Sequence, residues 1–250
     1  MYQKERIQLI YATLKKKKFL SSKDIMSLCH SSRDTTRRDM ILMEQEGYGL
    51  RSRGGISLNQ EEKRILAYKQ RQNEHIEIKK KLAKHALNYI TFQKVIFFDV
   101  STTIYELCQL VPNHLEAYTN AIRNIDPLAS RCHAHMIGGI YHPRNAYMYG
   151  SSTLHEIEQI SFDLSFLGAA SVKEDGIYFS EQEDALVKKK VAERSECVCV
   201  LFDDSKYQKA GSFKALDFSD IHFLITNKKP PEHLAKKIKE AGCVVDIIGE

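Results

Sequence analysis

Two stretches of this 250-residue sequence combine residue types at spacings that suit chemistry. The first is Ser32-Arg-Asp-Thr-Thr-Arg-Arg-Asp39. Arg33 and Arg37 stand four apart, on one face of a helix, with Thr35 and Arg38 beside them. Long cationic side chains reach guanine edges or phosphates in a major groove, while Ser32 and Thr35 put small hydroxyls at the helix start. The free N–H groups of that start suit a phosphate. Arg51 and Arg53, with Gly54-Gly55 permitting close backbone approach, would hold flanking phosphates or probe the minor groove. The competing reading is a surface helix whose arginines pair with Asp34, Asp39 and Glu44. The second stretch is Asp99-Val-Ser-Thr-Thr103, which follows the apolar run Val95–Phe98 and opens a helical pattern. Hydroxyls and free N–H groups at the C-terminal end of a strand suit an anion. A plain capped turn, with Ser101 or Thr102 as the cap, is the alternative. His133-x-His135 would place two rings on one strand face, but no third ligand lies nearby in sequence, so no metal is expected. Cys197-x-Cys199 reads as core.

The elements that must position these residues are legible in the apolar spacing. Ile7, Ile10, Tyr11 and Leu14 form a helical stripe that ends at Lys15–Lys18. Ser21-Ser-Lys-Asp24 is a capping box with Asp in place of Glu, and a short helix follows it. A second start at Ser31-Ser32 opens a helix with Thr36, Met40 and Met43 inward, stopped by Gly47. Tyr48–Leu58 reads as a hairpin. Three helices and a wing describe a winged helix-turn-helix. Residues 59–74 are a polar linker, and a helical pattern resumes at Ile76, Leu82, Ala83 and Ala86. Short apolar runs then alternate with helical patterns up to Cys243–Ile247, which points to a parallel sheet with helices on both sides.

Charge divides at the same place. Residues 1–57 hold 12 Lys and Arg against 6 Asp and Glu, a net of +6; residues 58–250 hold 25 against 26, a net of −1. A basic module before a near-neutral domain favours a nucleic-acid partner for the first quarter, although a basic surface without one remains open. The longest apolar stretch, Cys197–Phe202, is far short of the roughly 20 residues a membrane span needs. The polar N-terminus and the six scattered cysteines, without a C-x-x-C pair, suit a reduced cytoplasmic protein.

These motifs resemble the DeoR family of bacterial transcription regulators. The likeness rests on Ser32, Thr35, Arg37-Arg38-Asp39, Glu44, Gly47 and Arg51-x-Arg53-Gly54-Gly55, where the family has Ile, Val and His at the positions of Thr36, Ser31 and Arg53. It continues through Asp99-x-Ser101-Thr102-Thr103, Thr119-Asn120, Gly138-Gly139, Gly150, Asp163, Phe166-Leu167-Gly168, Asp184-Ala185-x-Val187-Lys188 and Asp203-x-Ser205-Lys206, with Ser101 replacing a family Gly. A hydroxyl at Thr36 must be placed within a core stripe, and a side chain at Ser101 narrows the cradle.

The resemblance implies an α/β chain: a winged helix-turn-helix over 1–58, a linker over 59–74, and a Rossmann-like α/β domain over 75–250 similar to sugar-phosphate isomerases and used as a sensor. It implies double-stranded operator DNA as one partner, read by Ser32, Arg33, Thr35, Arg37, Arg38, Arg51, Arg53 and Gly54. A phosphorylated sugar is the other, its phosphate on Ser101, Thr102 and Thr103, with Lys188 and Lys206 supplying charge. Asp99, Asn120 and Asp203 would orient hydroxyls, and Gly139 completes the site. A repressor of sugar-metabolism genes, a homodimer or homotetramer, and no cofactor or catalytic residue follow as expectations. Two rivals stand beside it: an isomerase using Asp99, Asp163 or Asp203 as base and a lysine as electrophile, and a winged domain that contacts protein.

Overall fold

The computed structural model describes residues 2–46, 48–52, 54–57, 68–91 and 94–249. Gly47, Arg53 and residues 58–67, hence the expected helix stop, one wing arginine and most of the expected linker, lie outside the described residues. The chain divides into two compact units, residues 1–64 and 65–250.

The first unit runs α1 (Gln3–Lys17), β1 (Phe19–Ser21), α2 (Ser22–Cys29), α3 (Arg33–Gln45), β2 (Leu50–Ser52) and β3 (Gly55–Ser57). The strands form an antiparallel sheet in the order β1-β3-β2. The helical stripe is the core, with Ile7, Ile10 and Leu14 buried against Leu20, Ile25, Cys29, Met40, Met43 and Ile56. The capping box is present as expected. Asp24 N–H donates to Ser21 Oγ at 3.1 Å, and Ser21 N–H donates to Asp24 Oδ2 at 2.9 Å. Sequence spacing does not disclose β1, whose three residues are too short to show a period. Gly55 is required where β3 crosses β1, because a Cβ there would lie 2.2 Å from the Leu20 carbonyl oxygen.

The second unit begins within the expected linker. Tyr68–Gln72 forms a helix, α4, and Tyr68 is buried against Val100, Ala121 and Tyr147. The order continues α5 (Ile76–Ala86), β4 (Val95–Phe98), α6 (Thr102–Cys108), β5 (Glu116–Thr119), α7 (Ile122–Ala129), β6 (His133–Met136), β7 (Ile140–His142), β8 (Tyr147–Tyr149) and α8 (Ser151–Glu158). It ends β9 (Phe162–Gly168), β10 (Ser171–Lys173), β11 (Gly176–Phe179), α9 (Gln182–Glu193), β12 (Ser195–Phe202), β13 (Phe213–Leu216), β14 (Phe223–Thr226), α10 (Glu232–Glu240) and β15 (Val244–Ile247).

Seven strands form one parallel sheet in the order β15-β14-β12-β9-β4-β5-β6. Alternation along β12 sends Cys199 and Leu201 to one face and Val198, Val200 and Phe202 to the other. Leu82, Ala83 and Ala86 of α5 and Ile104 and Leu107 of α6 cover the first face. Ile157 of α8, Val187 and Val191 of α9 and Ile238 of α10 cover the second. Both faces are therefore buried, which is why the strands read as apolar runs. The β7–β8 hairpin and the small antiparallel sheet β10-β11-β13 are not anticipated by the spacing.

Chain order reverses between β4 and β9. From β4 the chain steps outward through β5 to β6, then returns to lay β9 on the other side of β4. A crevice opens at such a switch point, beyond the C-terminal ends of the two strands. Asp99–Ser101 and Gly168 occupy those ends.

Candidate functional site

The turn between α2 and α3 carries both departures in the core stripe. Thr36 is buried, and its hydroxyl meets that of Ser31 at 2.9 Å. The two unusual residues satisfy each other, which answers the cost of a hydroxyl in this core. Ser32 caps α3, accepting from Thr35 N–H at 3.2 Å. Asp39, fully buried, is taken by α1. Arg6 Nε donates to Oδ2 at 2.7 Å and Arg6 Nη2 to Oδ1 at 3.0 Å, while Gln3 reaches Oδ1 at 3.3 Å. This bidentate pair raises the Arg6 guanidinium above its ordinary value, chiefly through its hydrogen bond to Asp39.

With Asp39 occupied, Arg33, Arg37 and Arg38 are exposed and make no ion pair among the described residues. Glu44 instead accepts the backbone N–H of Arg51 at 3.0 Å and lies 3.8 Å from its guanidinium, fastening the wing to the end of α3. The reading in which Asp39 and Glu44 neutralise the helix arginines is corrected by this geometry. Gly54, at φ +102°, occupies the left-handed region with open space around it.

In the second unit, Asp99 is fully buried at the switch point. Its Oδ2 accepts the N–H of Gly168 at 2.9 Å, and its Oδ1 lies 2.9 Å from Lys188 Nζ. Lys188, also buried, pairs with Asp184 one turn earlier on α9 and sits 4.5 Å from the centre of the Phe179 ring. Burial works against its charge, and the two carboxylates outweigh it, so the ammonium holds its proton above the ordinary lysine value. The resemblance gives Lys188 to a phosphate; its charge is instead committed to Asp99 and Asp184.

Ser101 packs against the end of β9. Its side chain turns onto Gly168, where a Cβ would stand 2.6 Å from Ser101 Cβ, and its Oγ accepts Thr103 N–H at 3.2 Å. Thr102 and Thr103 are buried. Asn120 donates to the Met148 carbonyl at 2.9 Å, and its Oδ1 is buried without a partner among the described residues. Asn124 ties the ends of β4 and β5 together, donating to the Asp99 carbonyl at 3.0 Å and to Thr119 Oγ1 at 3.2 Å. Gly139 is a backbone requirement, at φ +146° with Thr153 Oγ1 2.0 Å from where a Cβ would stand. Asp203 caps the 3-10 turn Asp204–Gln208, accepting Ser205 N–H at 3.0 Å, and lies 3.5 Å from Lys206 Nζ. Burial lifts its carboxyl, but Lys206 and Ser205 leave it below its ordinary value.

Three further cations, Arg71, Lys79 and Lys206, lie near one another and near the carboxylates of Asp99, Asp184 and Asp203. Lys206 is pulled below its ordinary value by burial. Lys79 of α5, buried, donates to the Arg71 carbonyl and is pushed down to about 8, by burial first and by Lys206 next. Arg71 of α4 feels the charges of Asp184 and Asp99, yet burial leaves it below its ordinary value. Among the described residues its Nε is buried without a hydrogen-bond partner, as are the hydroxyls of Tyr68 and Tyr147. Such atoms cost free energy unless something meets them. Sequence reasoning missed Arg71, Lys79, Tyr68 and Tyr147, and named Asp184 without giving it a role. Only Asp184 carried a signal, its i,i+4 spacing to Lys188.

The model of the DeoR-like helix-turn-helix domain matches residues 6–62, and that of the DeoR C-terminal sensor domain matches residues 74–228. The chain belongs to the DeoR family of transcriptional regulators. It is 30% identical to the HTH-type transcriptional repressor GlcR of Bacillus subtilis, covering 92% of this chain and 90% of that one. It is 26% identical to the L-fucose operon activator of Haemophilus influenzae, over 83% and 85%, and 24% identical to the glycerol-3-phosphate regulon repressor of Escherichia coli, over 92% and 93%. A ribose 5-phosphate isomerase from Methanocaldococcus jannaschii overlays 53% of this chain on 55% of its own, at a TM-score of 0.40 and 15% identity.

Membership of a regulator family removes the isomerase reading, and the three candidate bases hold other posts. Asp99 is locked on Lys188 and Gly168, and Asp203 caps its turn. Asp163 accepts the N–H groups of Lys94 and Val95 at 2.7 and 3.0 Å. In this DeoR-family chain no helix among the described residues is long and apolar enough to cross a membrane.

Proposed function

We propose that this chain is a cytoplasmic repressor of sugar-metabolism genes that binds operator DNA as a homodimer or homotetramer and is controlled by a phosphorylated sugar. Arg33, Arg37 and Arg38, with Ser32 and Thr35 at the helix start, read the major groove. Arg51, Arg53 and Gly54 meet the flanking backbone. Two half-sites call for at least two copies of the winged domain.

The effector lies at the switch point between β4 and β9. Its phosphate is held by Arg71, Lys79 and Lys206, together with the Thr102 N–H group and the hydroxyls of Ser101, Thr102 and Thr103. Asn120 and Asp203 meet the sugar hydroxyls. Asp99 and Lys188 act indirectly, as the ion pair that fixes the crevice floor, and Gly139 by shaping the backbone. The observation that carries this reading is the Nε of Arg71, buried without a partner among the described residues and beside Lys79 and Lys206. Buried cations that repel one another are stabilised by an oxyanion. The relatives named as regulators of fucose and glycerol-3-phosphate genes point to the same ligand chemistry.

A thermal-shift screen against phosphorylated sugars tests the site, since a ligand bound only by the native state raises the melting temperature. A shift in the wild type that disappears in Arg71→Gln supports the assignment. An equal shift in both proteins removes Arg71 from it.

A further inference from the structure

We propose that Glu116, His133 and His135 form a binding site for a divalent transition-metal cation of the zinc type at the edge of the sensor sheet. The third donor that sequence spacing lacks is supplied by the neighbouring strand. β6 is an edge strand, and its parallel register on β5 sets Glu116 opposite His133 and Tyr118 opposite His135. His133 and His135 are two residues apart, so both rings lie on one face of the strand. Nδ1 of His133 lies 2.9 Å, and Nε2 of His135 2.6 Å, from the same Glu116 oxygen. One ligand atom from each of the three residues lies within 4.8 Å of the other two.

The donor set and its surroundings suit such an ion. Two imidazoles and a carboxylate favour zinc and its first-row neighbours over calcium or magnesium, which take oxygen ligands. Around a tetrahedral ion with bonds of about 2.0–2.1 Å, ligand atoms stand roughly 3.3 Å apart. The His133 and His135 nitrogens must therefore move off the carboxylate oxygen by roughly 0.4 and 0.7 Å to admit the ion. His135 is held for this by stacking on Tyr118, with ring centres 4.3 Å apart and planes 8° apart. The side chains of His133 and Glu116 are well exposed, leaving a coordination position for water. The nearby Cys132 thiol is turned away, donating to the Leu128 carbonyl at 3.3 Å. A bound ion replaces the imidazole–carboxylate hydrogen bonds by three coordinate bonds and clamps a four-residue edge strand to its neighbour.

The test is equilibrium dialysis of the full chain against zinc(II) alone at neutral pH, with metal analysis, for the wild type, His133→Gln and His133→Gln/His135→Gln. The expected result is about one zinc per chain more in the wild type than in the double variant, and affinity lowered more than tenfold in the single variant. Zinc should raise the melting temperature of the wild type and not of the double variant. Since six free thiols are present, cobalt(II) absorption provides the control. Visible ligand-field bands without a thiolate charge-transfer band, lost in His133→Gln, support the site. Equal zinc in wild type and double variant, no zinc in either, or a thiolate band that survives the substitutions overturns it. His133 is largely exposed, so its substitution leaves the fold intact, which the metal-free melting temperature verifies.

Discussion

Ser31 and Thr36 share a hydrogen bond of 2.9 Å across the turn between α2 and α3, so that two departures from the family pattern form one compensated unit. Thr36 is buried while Ser31 keeps partial contact with solvent. Ser31→Ala therefore strands the Thr36 hydroxyl and should cost about 1–3 kcal/mol. Adding Thr36→Val removes the stranded group, and the double variant should be more stable than Ser31→Ala alone. Urea denaturation followed by circular dichroism measures the coupling, and additive losses would refute it.

Gly168 and Ser101 form a second such pair at the switch point. A Cβ on residue 168 would press on Ser101 Cβ at 2.6 Å, a backbone-anchored contact that cannot swing away. Gly168→Ala should lower stability by about 1–3 kcal/mol and weaken effector binding. Ser101→Gly in the same chain should restore most of both. Melting temperature and ligand titration of the two variants check this together.

Lys79 sets a pH dependence. Its folded value of about 8 lies below its ordinary 10.5. Between those values the unfolded chain holds a proton that the folded chain has released, so stability rises with pH across that window. Below about 8 both states are charged and the burial cost is constant. Lys79→Gln should reduce the rise, which denaturation at several pH values measures. Effector binding runs the other way, because an oxyanion favours the ammonium. Affinity for a phosphorylated sugar should fall as pH climbs past about 8 in the wild type, and not in Lys79→Gln, by calorimetry.

The cations of the first unit divide by role. Arg37→Ala should lose about 1–3 kcal/mol on the operator and relax its sequence preference. Lys16→Ala should change only the salt dependence. Affinity measured on operator and unrelated duplexes at several salt concentrations separates the two. Equal losses on every sequence would remove α3 from base reading.

Legibility in the sequence followed the range of the forces involved. The helices of the first unit show in the 3.6-residue stripe of Ile7, Ile10 and Leu14 and in the caps at Ser21 and Ser32, all local features. The strand Ser195–Phe202 shows because both its faces are apolar. The hairpin 140–149 and the strands around 171–179 do not, since three or four residues carry no period. The crevice was legible where it uses a contiguous motif, Asp99–Thr103, and illegible where it depends on distant partners. Nothing in the local sequence tells that Lys188 belongs to Asp99, or that Lys79, set in a polar basic tract, is a buried cation beside a half-buried Arg71. Asp39 gave the opposite error. Beside arginines in sequence, it reads as their partner, yet the fold hands it to Arg6 on another helix.

A phosphorylated sugar held at Arg71 should control operator binding, which requires unequal affinity for the DNA-competent and incompetent states. Fluorescence anisotropy of operator DNA, titrated with the full chain and with phosphorylated sugars and their unphosphorylated counterparts, measures this directly. At least one phosphorylated sugar should change operator affinity at least fivefold in the wild type, with no change in Arg71→Gln and none from the unphosphorylated sugar. Operator affinity untouched by every phosphorylated sugar, or moved equally by the unphosphorylated one, would contradict the account.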